Sequence, residues 1–171
     1  MKFKVPEQLE TERLILRQFK DEDWQDLHEY YSSEEATRYT VGRAFSEGES
    51  WRIMSAMLGH WVLRGYGPYA LEEKSSSKVI GTAGFWYPND WPSPEIKWAL
   101  APAHWGKGYA GEAARALQKA GLEYLPEIAL ISLIAKENQA SIKLALAVGA
   151  SFEREIDFRG DRWDIYRHPV A

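Results

Sequence analysis

At 171 residues, 45% hydrophobic and 27% charged, the chain has the length and make-up of one globular domain that buries its own core. A net charge of −4 gives no basic surplus for nucleic acid, and the absence of cysteine excludes disulfides, thiolate metal sites and a cysteinyl intermediate. Met1-Lys-Phe-Lys-Val-Pro has no signal-peptide core and no apolar run nears the roughly 18 residues of a membrane span, so a cytoplasmic protein without membrane contact is expected. Eight Trp and nine Tyr are many, and serve either a large core or a pocket with flat apolar walls.

In chain order, residues 12–19 alternate as a first strand. Asp21 is the expected cap of a helix that places Trp24, Leu27, His28 and Tyr31 on one face, with His28 at the core edge. Ser46-Glu-Gly-Glu resembles a capping box, and Trp51, Met54, Leu58, Trp61 and Val62 follow at helical spacing until Gly65. These aromatics either pack on a sheet or wall a substrate cleft. Three strands follow, 69–73, 79–87 and 95–100, and Gly81 and Gly84 in the second predict a bulge or a close backbone approach. A helix over 109–124 stops before Pro126, the apolar run 128–135 reads as a strand buried on both faces, and Asn138 caps a helix closed by Gly149. Strands 151–158 and 162–167 form a terminal hairpin across Gly160-Asp. No repeat or linker interrupts the chain, so residues 1–171 form one domain.

The stretch from Ala99 to Arg115 organises the rest: strand, Pro102, Gly106, Gly108, then an alanine-rich helix. Its glycines allow close approach, and the first helical amides, on Gly108, Tyr109 and Ala110, have no partner inside the helix. Such a turn suits a diphosphate. Gly106-Lys-Gly108-Tyr-Ala-Gly111 matches the dinucleotide pattern literally, but several antiparallel-looking strands precede it and no acidic residue ends the next strand, as a Rossmann fold requires. The P-loop pattern is absent.

Three segments together resemble one family. Leu9-Glu-Thr-Glu-Arg-Leu-Ile-Leu-Arg, Trp105-Gly-Lys-Gly-Tyr-Ala with Glu112-Ala, and Asn138-Gln-Ala-Ser141 with Gly149-Ala-Ser-Phe stand in the order found in GCN5-related N-acetyltransferases (GNAT). The similarity is greatest to the branch that acetylates the N-terminal alanine or serine of ribosomal proteins. The resemblance implies a mixed α/β (α+β) fold: a twisted, mostly antiparallel sheet of about seven strands, splayed between its fourth and fifth, with about four flanking helices. It implies acetyl-coenzyme A as co-substrate and no metal. Its diphosphate would lie on Gly106, Lys107, Gly108, Tyr109 and Ala110 beside Trp105, with the pantetheine arm and thioester at Ala99, Leu100, Ala101 and Asn138. The alternative is that Gly106 and Gly108 only permit a tight turn.

Acetyl transfer needs a neutral amine, a polarised carbonyl and a leaving thiolate. An α-amine has a pKa of about 8 against roughly 10 for lysine, so an N-terminal amine asks little of its base. Glu95 is the candidate base, against the alternative of a solvated carboxylate at a strand end; the resembling branch has glutamate there. Amides on a bulge near Leu100 are candidates for polarising the carbonyl. The late-helix tyrosine that the family often uses as acid falls at Ala145, which leaves Ser141 as candidate acid or as part of the Asn138 cap. Lys107, Arg115 and Lys143 are candidate phosphate cations or solvated side chains, and His104 reads as structural. Trp86, Trp91 and Trp98 are candidates for lining the acceptor side, with core packing the alternative and the expected role of at least one. Lys97-Trp98 (Gly-Tyr in the branch) and the loop at Trp91 depart from the branch and point to a reshaped acceptor side. The acceptor is then a protein N-terminus or a small amine, an amine-bearing antibiotic included, for a monomer or homodimer. A coenzyme A sensor without transfer is the competing class.

Overall fold

The computed structural model describes residues 2–170. Its elements are β1 (Gln8–Glu10), β2 (Leu14–Arg17), α1 (Asp23–Tyr31), α2 (Glu34–Thr37), α3 (Glu47–Arg64), β3 (Pro68–Glu73), β4 (Lys78–Trp86), β5 (Glu95–Leu100), α4 (Tyr109–Tyr124), β6 (Ile131–Ala135), α5 (Gln139–Ala147), β7 (Ser151–Phe158) and β8 (Asp161–Arg167). One eight-stranded sheet runs in the order β1-β2-β3-β4-β5-β6-β8-β7. The mixed fold is therefore as expected. The strand and helix beyond the expected seven and four include β1 and α2, which are too short to show a period.

Every neighbouring pair is antiparallel except β5 and β6, which run parallel and share a single register pair, Glu95 with Ile131. Beyond it the two strands part. On one face of the sheet α1 and α3 pack Leu27, Met54 and Met57 against Ala70 and Val79. On the other, α4 packs Ala113, Leu117 and Ala120 against Phe85 and Ile96.

The capping box at Ser46 and Glu49 forms as expected, and Gly65 ends α3 with φ +80°. Gly81 and Gly84 mark close approaches: an added Cβ would lie 2.1 Å from the Ala99 carbonyl oxygen and 2.5 Å from Pro68 Cα. Asp21 does not cap α1. The N-cap is Glu22, without a side-chain bond, while Asp21 accepts from Trp51 Nε1 at 3.0 Å. The apolar run from Ile128 also joins the sheet late. Ile128 turns back, its amide bonding Leu125 O at 2.9 Å, and Leu130 packs beneath α4, so its first residues are apolar for burial and not for pairing.

Candidate active site

Gly106 and Gly108 take φ of +73° and +82°, a region open to glycine and costly to other residues. They turn the chain into α4 with its first amides facing outward. Among the described residues, no protein oxygen accepts from the peptide nitrogens of Gly106 to Ala110. A brace from β2 holds the turn. Glu112 accepts from Thr11 Oγ1, from the Arg13 amide at 2.8 Å and from Arg13 Nε at 2.8 Å, and Arg13 Nη1 donates to Lys107 O at 2.8 Å. The Arg13 guanidinium also lies 4.2 Å from the Tyr109 ring centroid, and Tyr109 donates its phenol proton to Glu73. The free amides line a cavity of about 630 Å³ with Trp105, Ala99, Leu100 and Asn138.

The gap between β5 and β6 continues that cavity inward. The Ala101 amide donates to Ile80 O at 3.0 Å, which fixes the phase of the β4–β5 ladder. By alternation, the amides of Trp98 and Leu100 point away from β4 and into the gap, where β6 no longer pairs. The ladder is continuous over 95–100, so no bulge exists there; the parting of β6 frees these amides instead. Asn138 Oδ1 accepts from the Ser141 amide at 3.3 Å and caps α5. Ser141 Oγ accepts from Trp98 Nε1 at 3.2 Å, which leaves its own proton free to be donated.

A second cavity of about 460 Å³ lies across Trp98 and Ala99, which with Asn138 and Ser141 line both spaces. Its walls include Tyr31, Trp86, Trp91 and Phe158, and its charged floor is Glu95 and Lys97, two residues apart on one strand. Glu95 is buried, its carboxylate accepting from Trp91 Nε1 at 2.8 Å and from the Leu133 amide at 3.0 Å. Burial pushes this carboxyl up to about 7 against those two donors and Lys97, so it exchanges a proton near neutrality. Burial likewise draws Lys97 down to about 8, with Glu95 opposing. His60 also lines the space but is spent on the backbone: Nδ1 donates to Tyr66 O at 2.7 Å and Nε2 accepts from the Tyr87 amide at 2.9 Å. Both ring nitrogens being engaged, and burial lowering its pKa, it stays neutral and holds Trp86, on which it stacks at 5.0 Å.

Under the split, Ser132 Oγ donates to Ile96 O at 2.7 Å and lies 2.8 Å from His168 Nε2, whose Nδ1 is 2.9 Å from Gln118 Nε2. Since the serine proton goes to Ile96 and the amide nitrogen only donates, His168 is the neutral Nε2–H tautomer. Burial holds it at about 4.

The acetyltransferase (GNAT) domain profile matches residues 13–151. The chain is a member of the GNAT acetyltransferase family. A relative from Bacillus licheniformis, the uncharacterized N-acetyltransferase p20, is 34% identical over 151 residues, 87% of this chain and 84% of that one. A crystal structure of an acetyltransferase from Agrobacterium tumefaciens superposes with a TM-score of 0.83 at 27% identity, covering 99% of this chain and 97% of the other. A ribosomal L7/L12 α-N-protein acetyltransferase solved with coenzyme A shares the fold, with a TM-score of 0.75 at 17% identity over 97% of each chain.

In this acetyltransferase the expected site residues divide. Ala99, Leu100, Trp105, Gly106, Gly108, Tyr109, Ala110, Asn138 and Ser141 meet at the first cavity, and Glu95, Trp86, Trp91 and Trp98 at the second. Ala101 and Lys107 line neither: Ala101 is buried with its amide in the ladder, and the Lys107 carbonyl is turned to Arg13. Glu95 is not a solvated strand end. Trp91, expected only as acceptor wall, also holds the Glu95 carboxylate. Of the cations, Arg38 lines the first cavity, whereas Arg115 and Lys143 do not. The Thr11–Arg13 brace and Arg38 were missed because their partners are distant in sequence; the Thr-Glu-Arg of the opening strand was the one trace of the brace.

Proposed function

We propose that this acetyltransferase moves an acetyl group from acetyl-coenzyme A directly to a primary amine. What carries the reading is the meeting of two unlike cavities at Trp98, Ala99 and Ser141: free amides on one side, a buried proton-accepting carboxylate on the other. The diphosphate fits the amides of Gly106 to Ala110, where two left-handed glycines keep the approach open, and Arg38 supplies positive charge. The pantetheine arm follows the gap, and the amides of Trp98 and Leu100 face the thioester carbonyl. Glu95 takes the amine proton, the amine attacks the carbonyl carbon, and the carbon–sulfur bond breaks as the thiolate leaves. Ser141, its proton uncommitted, donates a hydrogen bond to the departing sulfur, and the thiolate takes its proton from water as Glu95 gives up the one it took from the amine. The tyrosine acid often found on the late helix has no counterpart, since Ala145 stands at its position and has no proton to give. A thiol with a pKa of about 8.5 departs without a strong acid.

The test is thiol release from acetyl-coenzyme A across a panel of amines, with mass spectrometry recording the acetyl gain on the acceptor. Acceptor-dependent release supports transfer. Tight coenzyme binding without turnover on any amine, N-terminal peptides included, supports a sensor instead.

A further inference from the structure

The second cavity is unusual in its charge. Among the described residues, its only lining carboxylate is Glu95, and it also holds the ammonium of Lys97. Among the described residues that ammonium makes no ion pair within 4.0 Å: its neighbours are Met57 Sδ at 3.6 Å and the Trp86 ring, 5.2 Å from its centroid. The other cation in the lining, Arg159, is committed to Asp90 at 3.0 Å and stacks on Trp91. Lys97 is therefore a half-buried cation, aimed into an aromatic space, that feels Glu95 along the strand but is touched by no carboxylate among the described residues.

An amine acceptor entering this space meets that charge. A polycation would be repelled by it and would find one carboxylate for several ammonium groups. A peptide N-terminus brings an amide next to its amine, which answers Glu95 but leaves Lys97 desolvated and unpaired. An amine with a carboxylate beside it answers both. Glu95 and Lys97 project from the same strand face about 6.6 Å apart, and a zwitterion fits between them, ammonium towards one and carboxylate towards the other. The flat walls at Trp86, Trp91 and Phe158 then receive an apolar side chain.

Building on the reading of this cavity as the acceptor site, we propose that the acceptor is a free α-amino acid, or a close analogue, with an aromatic or large apolar side chain, whose carboxylate is held by Lys97. Lys97 is the specificity residue and Glu95 the base. Transfer yields an N-acetylamino acid and free coenzyme A, so the product loses its positive charge and keeps its negative one.

The experiment titrates the full-length protein, with coenzyme A present, against L-phenylalanine, L-tryptophan, L-leucine and L-methionine and against the amide of each, by calorimetry. The expected result is that at least one free acid binds about tenfold or more tighter than its amide, as one charge-assisted contact implies. Lys97→Met should abolish the preference while coenzyme binding and the amide's affinity hold. No acid binding above its amide, or a preference that survives Lys97→Met, overturns the proposal; the wild-type comparison decides even if that variant does not fold. Thiol release in the same panel separates this from the parent reading. A carboxylate preference without turnover leaves the Lys97 site standing and removes transfer, whereas equal turnover of acids and amides keeps transfer and removes the Lys97 site.

Discussion

The turn at Gly106–Ala110 presents peptide nitrogens, whereas the cavity beyond Trp98 presents side chains gathered from α1, α3, β4, β5, β6, α5, β7 and β8. The first surface is made by one short stretch of chain entering a helix, and almost any side chains compatible with the turn would leave its nitrogens in place. The second exists only when all of these elements are docked. Backbone recognition is thus the general part of this molecule and side-chain recognition the particular part. Variants at Glu95 and Gly108 each act on one side and should leave the other untouched; those at His168 and Ser141 probe the frame and the junction between them.

The largest effect is expected at Glu95. Glu95→Gln should lower kcat about a hundredfold or more, with coenzyme A affinity changed less than about twofold. Because a base works only deprotonated, the wild-type rate should rise with pH through about 7, and the variant's profile should lack that limb. A rate unchanged by the substitution takes Glu95 out of the mechanism.

His168 lines neither cavity but packs against Trp98, which lines both. Its folded pKa of about 4 lies below the ordinary 6.5, so the neutral form is favoured by folding. The stability gained is present above pH 6.5 and is lost as pH falls towards 4, by about 3 kcal/mol at most. Denaturant titrations at pH 7 and pH 4.5 should show that slope, and His168→Gln should flatten it. Equal slopes in both proteins rule out the buried neutral tautomer.

On the backbone side, Gly108→Val places a β-branched residue at φ +82° and should weaken coenzyme A binding about tenfold while acceptor affinity is preserved. Loss of both affinities together breaks the separation of the two regions. The smallest change is expected of Ser141→Ala, a fall in kcat of about threefold to tenfold that is insensitive to acceptor. A loss near a thousandfold shows that the thiolate needs far more help than its pKa implies.

Much of this was legible in the chain. The glycine turn, the capping box at Ser46, the cap at Asn138, and the limits of α4, β5 and β7 are local, fixed by residues within a few positions of one another. The brace from Thr11 and Arg13 to Glu112, the start of β6 at Ile131 and the failure of Asp21 to cap were not, because each is settled by a partner far along the chain.

The sequence alone therefore determined where a turn with outward amides stands, since left-handed glycines ahead of a helix lead into peptide nitrogens that have no partner within it. Tertiary structure decided what Glu95 and Lys97 are. A carboxylate and an ammonium two residues apart on an exposed strand would be ordinary solvated ions. Beneath Trp86, Trp91 and Trp98 they lose their water, and water is what had made them alike to every other charge on the chain.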